Sequence, residues 1–284
     1  MNNKNNVILS CIDGSSVSAA VSDYACWIAA KIAAPLKLLH SIEQSQNPVV
    51  ADLSGAIGLG SQEELLNELT ELEQNRSRLL IKKGQLMLEA VKARAIKAGI
   101  DSPEISQRHG SLSESLVELE DEIRVLVIGI RGEAHEKDQA GIGTQLETVI
   151  RSLHKPILVV NKGFTEPKRV MLAYDGGEAC RKALNMVASG PLLKDIPCHI
   201  VHVGENGQAL MDEAARVLRD VGIEVTTAQL TGEIDDALSQ YQSENQIDLT
   251  IMGAFSHNRI RDFLVGSFTA KMLAKTNRPL LLLR

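Results

Sequence analysis

Aromatic side chains are scarce, 3% of the 284 residues with a single Trp. The core must therefore be filled by Val, Ile, Leu and Ala, a bias that suits parallel sheets buried on both faces under Ala-rich helices. Cysteine is scarcer still. Cys11, Cys26, Cys180 and Cys198 form no Cys-x-x-Cys pair, so they read as free buried thiols in a reducing cytoplasm. No run of about 18 apolar residues exists to span a membrane. The opening MNNKNN lacks the apolar segment of a secretory signal. Positive charge is not in excess: the formal net charge is −6, and the basic residues are dispersed without interleaved aromatics, which argues against nucleic-acid binding. Also missing are a Gly-x4-Gly-Lys-[Ser/Thr] phosphate loop, metal-ligand pairs among the seven histidines, and any recurrent Ser-His-Asp or Cys-His set that would support covalent catalysis. His40 and His202 hold equivalent strand-end places and are expected to be structural.

What the chain does contain is a repeat. Val7–Gly14 (VILSCIDG) matches Val170–Gly177 (VMLAYDGG), each an apolar strand ending at Asp-Gly before an Ala-rich helix. Leu36–Ile42 matches Cys198–Val203, and Gly110 matches Gly232, each Gly preceding a short amphipathic helix. Val125–Gly129 matches Leu249–Gly253, and Lys155–Val160 matches Arg278–Leu283. Five landmarks recur in one order. Each half reads β-α-β-α-β-α-β-α-β, an order that implies parallel strands, right-handed crossovers and helices on both faces. The fold class expected is α/β: two tandem five-stranded parallel sheets of nucleotide-binding, Rossmann-like type. The break falls at Asn161–Pro167 (NKGFTEP), where Gly, Pro and charge interrupt the apolar pattern, giving domains 1–162 and 168–284.

The halves differ in length. Asp13 and Asp175 are 162 positions apart but Lys155 and Arg278 only 123, and the difference of about 39 residues falls between about Gln44 and Lys83. This insert begins with a Gly-rich loop. Ser61-x-x-Glu64 then has the form of a capping box, and Leu65, Leu69, Leu72, Leu79 and Leu86 follow at helical spacing, in a helix reaching about Ala98. It is either a lid or docking element for a protein partner, or a long helix packed on its own domain.

In such sheets ligands sit beyond the carboxyl ends of the strands, where strand order reverses. Two features lie there. Asp13 and Asp175 can accept hydrogen bonds from a ribose hydroxyl or an adenine amino group, or can cap the next helix. The loop after the fourth strand carries Gly129, Gly132, Gly143 and Thr144 in the first half, and Gly253, Ser256, Gly266 and Ser267 in the second. Each loop leads directly into a helix, whose free N–H groups and dipole suit a phosphate.

These loops resemble the signature of the universal stress protein family, Gly-x2-Gly-x9-Gly-[Ser/Thr]. Gly253, Gly266 and Ser267 keep its spacing, with Ser256 in place of the second Gly; in the first half the second gap is ten residues. The resemblance covers nearly the whole chain twice, leaving out the insert. It implies that the loop holds ribose and phosphates of ATP, with Mg2+ as a companion ion, while the strand-one Asp and the end of strand two flank the base. That brings in Cys11-Ile12 and Ser41 in the first half, and Ala173-Tyr174 and Val203 in the second. Single-repeat members form homodimers, so the two copies are expected to make a pseudo-dimer within one chain, joined along Ile157–Val160 and Leu280–Leu283, with homodimers of the whole chain as a further state.

Three functions follow in order. The first is a cytoplasmic stress-response protein that binds adenine nucleotide in one or both halves. The second is a nucleotide-independent interaction protein. The third is an enzyme, at most a slow ATPase, since no catalytic base or Walker-type Lys is evident.

Overall fold

The computed structural model describes residues 6–43, 59–132, 144–254 and 267–284, with main chain alone at 59–66, 144 and 267–268. The first half supplies strands β1 (Val7–Cys11), β2 (Leu36–Ile42), β3 (Glu104–His109), β4 (Ile123–Gly129) and β5 (Ile157–Val160). Between them run helices α1 (Ser18–Ile32), α2 (Leu59–Lys97), α3 (Leu112–Glu118) and α4 (Thr144–Ser152). The second half repeats the order with β6 (Val170–Ala173), α5 (Glu178–Ser189), β7 (Cys198–Val203), α6 (Gln208–Asp220) and β8 (Val225–Leu230), then α7 (Ile234–Glu244), β9 (Leu249–Gly253), α8 (Ser267–Lys275) and β10 (Leu280–Leu283).

All ten strands join one sheet in the order β3-β2-β1-β4-β5-β10-β9-β6-β7-β8. Within each half every pairing is parallel. The junction is the exception: β5 and β10 pair antiparallel, with Leu281 opposite Leu158 and Leu282 opposite Ile157. These are the two strands along which the pseudo-dimer is expected to close, and their pairing covers what would be two open sheet edges.

Both faces of the sheet are dry, as the near-continuous apolar strands require. Side chains alternate between them. Ile8, Leu38, Val127, Leu172 and Ile251 point to one layer, with α1, α2, α5 and α6. Leu9, Leu39, Leu126, Met171 and Leu282 point to the other, with α3, α4, α7 and α8. Each layer runs without a break from the first half into the second. Burying one such Leu or Ile contributes roughly 1.5–3 kcal/mol, so a core spanning the junction ties the halves together in addition to the strand pairing.

Polar contacts reinforce the junction. Asn161, the residue after β5, donates from Nδ2 to the carbonyls of Thr276 (2.7 Å) and Arg278 (2.9 Å), just before β10. Its counterpart after β10, Arg284, donates from Nη1 to the Arg151 carbonyl at the end of α4. The connecting segment packs back onto α1. Phe164 meets the Tyr24 ring edge-on at 4.8 Å, and the Tyr24 hydroxyl donates to the Thr165 carbonyl at 3.1 Å.

The insert is helical to Lys97. The helix begins at Leu59, just ahead of Ser61, so the Ser61-x-x-Glu64 box lies inside its first turns rather than at its cap. A helix of 39 residues is roughly 58 Å long, whereas seven-residue strands such as β2 span only about 23 Å. The carboxyl part of α2 lies on β2 and β3, with Leu88 and Ala95 buried. From 67 to 79 every residue but Leu69 is exposed.

Two predictions follow from this architecture. Asn161→Ala leaves two carbonyls at the junction without their donor and should lower stability by about 1–3 kcal/mol, read as a lower urea midpoint at unchanged slope. Asp235 of α7 is buried against Lys275 of α8 at 2.5 Å. The Lys275 hydrogen bond holds the Asp235 carboxyl below its usual range. A depressed folded pKa contributes stability above the unfolded value and loses it as pH falls through the folded value. Asp235→Asn should therefore destabilise most near neutrality, with the gap from wild type closing in acid, measured by thermal unfolding across pH.

Candidate functional site

Parallel strands leave their carboxyl ends in register, and the order β2-β1-β4 sends chains away from β1 in opposite directions. The crevice this opens is a cavity of about 380 Å³, lined by Cys11, Ile12, Asp13, Ser41, Gly129 and Gly132. Every first-half residue singled out from the sequence is thus gathered there, except Gly143 and Thr144. Gly143 lies outside the described residues, and Thr144 is the first residue of α4, whose Gln145 and Leu146 also line the cavity.

Asp13 sits at its floor with its two oxygens in different surroundings. Oδ1 accepts from the Ser15 N–H at 3.0 Å and the Ser18 hydroxyl at 2.7 Å. Oδ2 is turned toward Gly132, where a Cβ would stand 3.5 Å away. The carboxylate therefore both stabilises the turn into α1 and presents one oxygen to the loop side of the cavity. Asp175 makes the same turn, accepting from the Gly177 N–H at 2.8 Å. The following Gly14 and Gly176 have φ of +83° and +76°, a left-handed region that disfavours any side chain.

Gly129 and Gly253 end β4 and β9, and their neighbours account for both. A Cβ on Gly129 would stand 3.0 Å from the Val17 side chain, and one on Gly253 only 2.8 Å from the Ala179 Cβ. The close approach here is by the start of the helix that follows the first strand of each half, α1 or α5. Ser41 donates its hydroxyl to the Gly110 carbonyl at 2.8 Å. In the second half Ala173, Tyr174, Asp175, Val203 and Gly253 occupy the matching carboxyl ends of β6, β7 and β9. Ser256 and Gly266 lie outside the described residues, and Ser267 is the first residue of α8.

The strand-end histidines make matched bonds. His40 Nδ1 is 2.7 Å from the Ile12 carbonyl and His202 Nδ1 is 2.9 Å from the Tyr174 carbonyl. Each ring lies under a glycine of the next helix: a Cβ on Gly84 would fall 2.5 Å from His40 Cδ2, and one on Gly207 only 2.1 Å from His202 Cδ2. Gly84 and Gly207 thus mark the same point in the two halves. From there α2 and α6 correspond, through Leu88 and Met211 to Ile100 and Ile223, all buried.

The turns of α2 ahead of Gly84 have no counterpart, and they border the cavity. Arg76, Leu80 and Lys83 line it, joined by Met87. The spacing of leucines shows the helix, but not these residues as part of the site. Aligning the Gly-Gln pairs Gly84-Gln85 and Gly207-Gln208 gives the signal: it dates the start of the shared helix and leaves Arg76 and Lys83 stranded beside strand ends.

The cysteines are all buried. Burial pushes the Cys11 thiol far up, with the Asp13 charge acting in the same direction; burial likewise raises Cys180 to about 11 and Cys198 to about 12. Such thiols are poor nucleophiles, so Cys11 contributes shape to the cavity rather than reactivity. Among the described residues, no cluster of three or more His, Cys, Asp or Glu is arranged to hold a metal, and no helix is long and apolar enough to cross a membrane.

Known proteins share this arrangement. The model of the Universal stress protein family matches residues 4–161 and 205–284. Universal stress protein Slr1230 of Synechocystis sp. is 38% identical over 284 residues, covering 98% of this chain and 99% of that protein. Among solved structures, a universal stress protein from Archaeoglobus fulgidus superposes with a TM-score of 0.72 at 18% identity, over 99% of this chain and 98% of that one. The functionally unknown protein PA1789 from Pseudomonas aeruginosa gives 0.59 at 13% identity, over 99% and 93%. At such identities the structures speak for the fold, while the family match and the full-length relative speak for descent. The chain, two copies of one α/β unit matched in both halves, belongs to the universal stress protein family.

Proposed function

We infer that the protein is a cytoplasmic binding module that takes an adenine nucleotide, ATP with Mg2+, in its first half, with modules at 1–162 and 168–284. The observation that carries this reading is the cavity at the β1–β4 switch point. Its volume of about 380 Å³ is within the range of small-ligand sites. It combines an apolar wall (Ile12, Leu39, Met87), a carboxylate oxygen from Asp13, and basic side chains from Arg76 and Lys83. A flat base suits the wall, ribose or amino hydrogens suit Asp13 Oδ2, and phosphate charge suits the basic pair and the amino end of α4. In the second half Asp175, Val203 and Ser267 offer the matching contacts, without the cover of an extended helix.

Nucleotide would act by occupancy. The sequence has no Walker-type phosphate loop to place a Lys on the phosphates, and any hydrolysis is taken to be slow. A second reading, an interaction protein without nucleotide, is favoured by one feature: the turn at Asp13 and the packing at Gly129 and Gly253 account for those residues with no ligand at all.

Asp13→Asn separates the two. It keeps an oxygen for Ser15 and Ser18 but replaces the acceptor facing Gly132 by a donor. Calorimetric titration of the whole chain with Mg-ATP should show binding weakened about tenfold, or ~1.4 kcal/mol, with thermal stability nearly unchanged. Asp175→Asn reports the second site in the same way. Arg76→Ala should weaken binding several-fold and flatten its salt dependence, as removal of a phosphate-facing cation does. No nucleotide released from freshly purified protein, and no heat at millimolar Mg-ATP, would overturn the nucleotide reading and leave the interaction protein.

A further inference from the structure

The exposed stretch of α2 carries a ridge that this chain does not cover. Leu72, Leu79 and Leu86 fall one heptad apart and are 65%, 68% and 64% exposed. Leu65 holds the same heptad position one step earlier. Spacing of seven keeps such residues on one slowly drifting stripe. The stripe continues at Leu86 into a shallow groove with Leu88 and Ile105, beside the outer strand β3. Large exposed Leu residues in line, unlike scattered ones, mark an interaction surface.

The charges on the helix say what covers it. Between Leu59 and Asn75 every charged residue is Glu; from Arg76 to Lys97 all but Glu89 are Lys or Arg. A helix acidic in one half and basic in the other complements itself when reversed. The leucines agree with that reversal about a point between Asn75 and Arg76. There Leu72 of one copy stands opposite Leu79 of the other, and helix position 65 falls level with position 86. Glu68 and Glu71 share a flank of the stripe with Arg78 and Lys82, so reversal brings Glu68 within one residue of level with Lys82, and Glu71 within two of level with Arg78, of the second copy. Among the described residues, none of these four side chains meets an opposite charge of its own chain.

We propose that α2 is a homodimerisation element: two copies of the chain pair their α2 helices antiparallel, centred between Asn75 and Arg76, with the Leu72–Leu79–Leu86 stripe as the contact. The paired stretch is about 32 Å long, and its flanks are matched charges that fix direction and register. This surface lies on the far side of the first half from the β5–β10 junction and needs no ligand, so it stands or falls apart from nucleotide binding.

Sedimentation velocity and light scattering on the full chain test it. Wild type should run at twice the chain mass of 30.8 kDa and dissociate on dilution. Leu72→Glu with Leu79→Glu should halve the mass while the circular dichroism of the folded body is kept. Because that variant can also fray the outer turns, a charge swap gives a second test. Glu68→Lys with Glu71→Lys should weaken the dimer about tenfold, and adding Arg78→Glu and Lys82→Glu to the same chain should restore it. A wild type that stays at the chain mass up to submillimolar concentration overturns the proposal and leaves the stripe to a different protein. So does a Leu variant that keeps the doubled mass, or a charge reversal that the compensating pair does not rescue.

Discussion

The antiparallel pairing of β5 with β10 is the constraint on which the rest of the molecule depends. A five-stranded parallel sheet of either half has β5 or β10 at its margin, an apolar strand with an unpaired row of N–H and C=O groups. Joining the two margins satisfies those groups and lets both hydrophobic layers run across the junction. Asn161 and Arg284, each just past the pairing strand of its own half, then reach across to the other. Because the pairing is antiparallel, strands of the two halves point in opposite directions. Their carboxyl ends, and with them the two candidate sites, lie at opposite ends of the sheet.

That geometry makes the halves equivalent in fold but not in surroundings. The histidine under a glycine, the Asp turn at the end of the first strand and the Gly closing the fourth are repeated almost contact for contact. The asymmetry comes from one element. In a β-α-β crossover the helix runs back against the strands, so its amino end lies at their carboxyl ends. Lengthening α2 at that end therefore adds turns over the first site and beyond it. One helix supplies basic side chains to the cavity and, further round its circumference, an uncovered row of leucines.

The site residues illustrate how one position serves structure and chemistry together. Asp13 holds the turn into α1 through one oxygen and offers the other to the cavity. Gly129 admits Val17, and Gly253 admits Ala179. A strand-to-helix turn this tight needs a short acceptor and a residue without a side chain, whatever binds above it. Such residues persist in a degenerate site as readily as in a working one, which is why the flanking residues of α2 discriminate between readings better than the glycines do.

The pair of strands that join the halves was implied by the family resemblance, while sequence by itself determined the repeat, the α/β class and the strand order along the chain. Those follow from local signals: apolar runs of strand length, Asp-Gly turns, and periodic helices between them, each readable within a dozen residues. It also marked Asp13, Gly129 and Gly132 as neighbours, because parallel strands must bring their carboxyl ends together. Only the tertiary structure decided what those ends face. That Gly84 lies on His40, that Arg76 and Lys83 reach the cavity, and that Leu72 and Leu79 are left uncovered all depend on how α2 is seated against β2 and β3. Heptad leucines on a helix read as a core stripe until the structure shows which way the helix is turned. Here its buried face is set by Gly84, Leu88 and Ala95, and the leucines fall outside it.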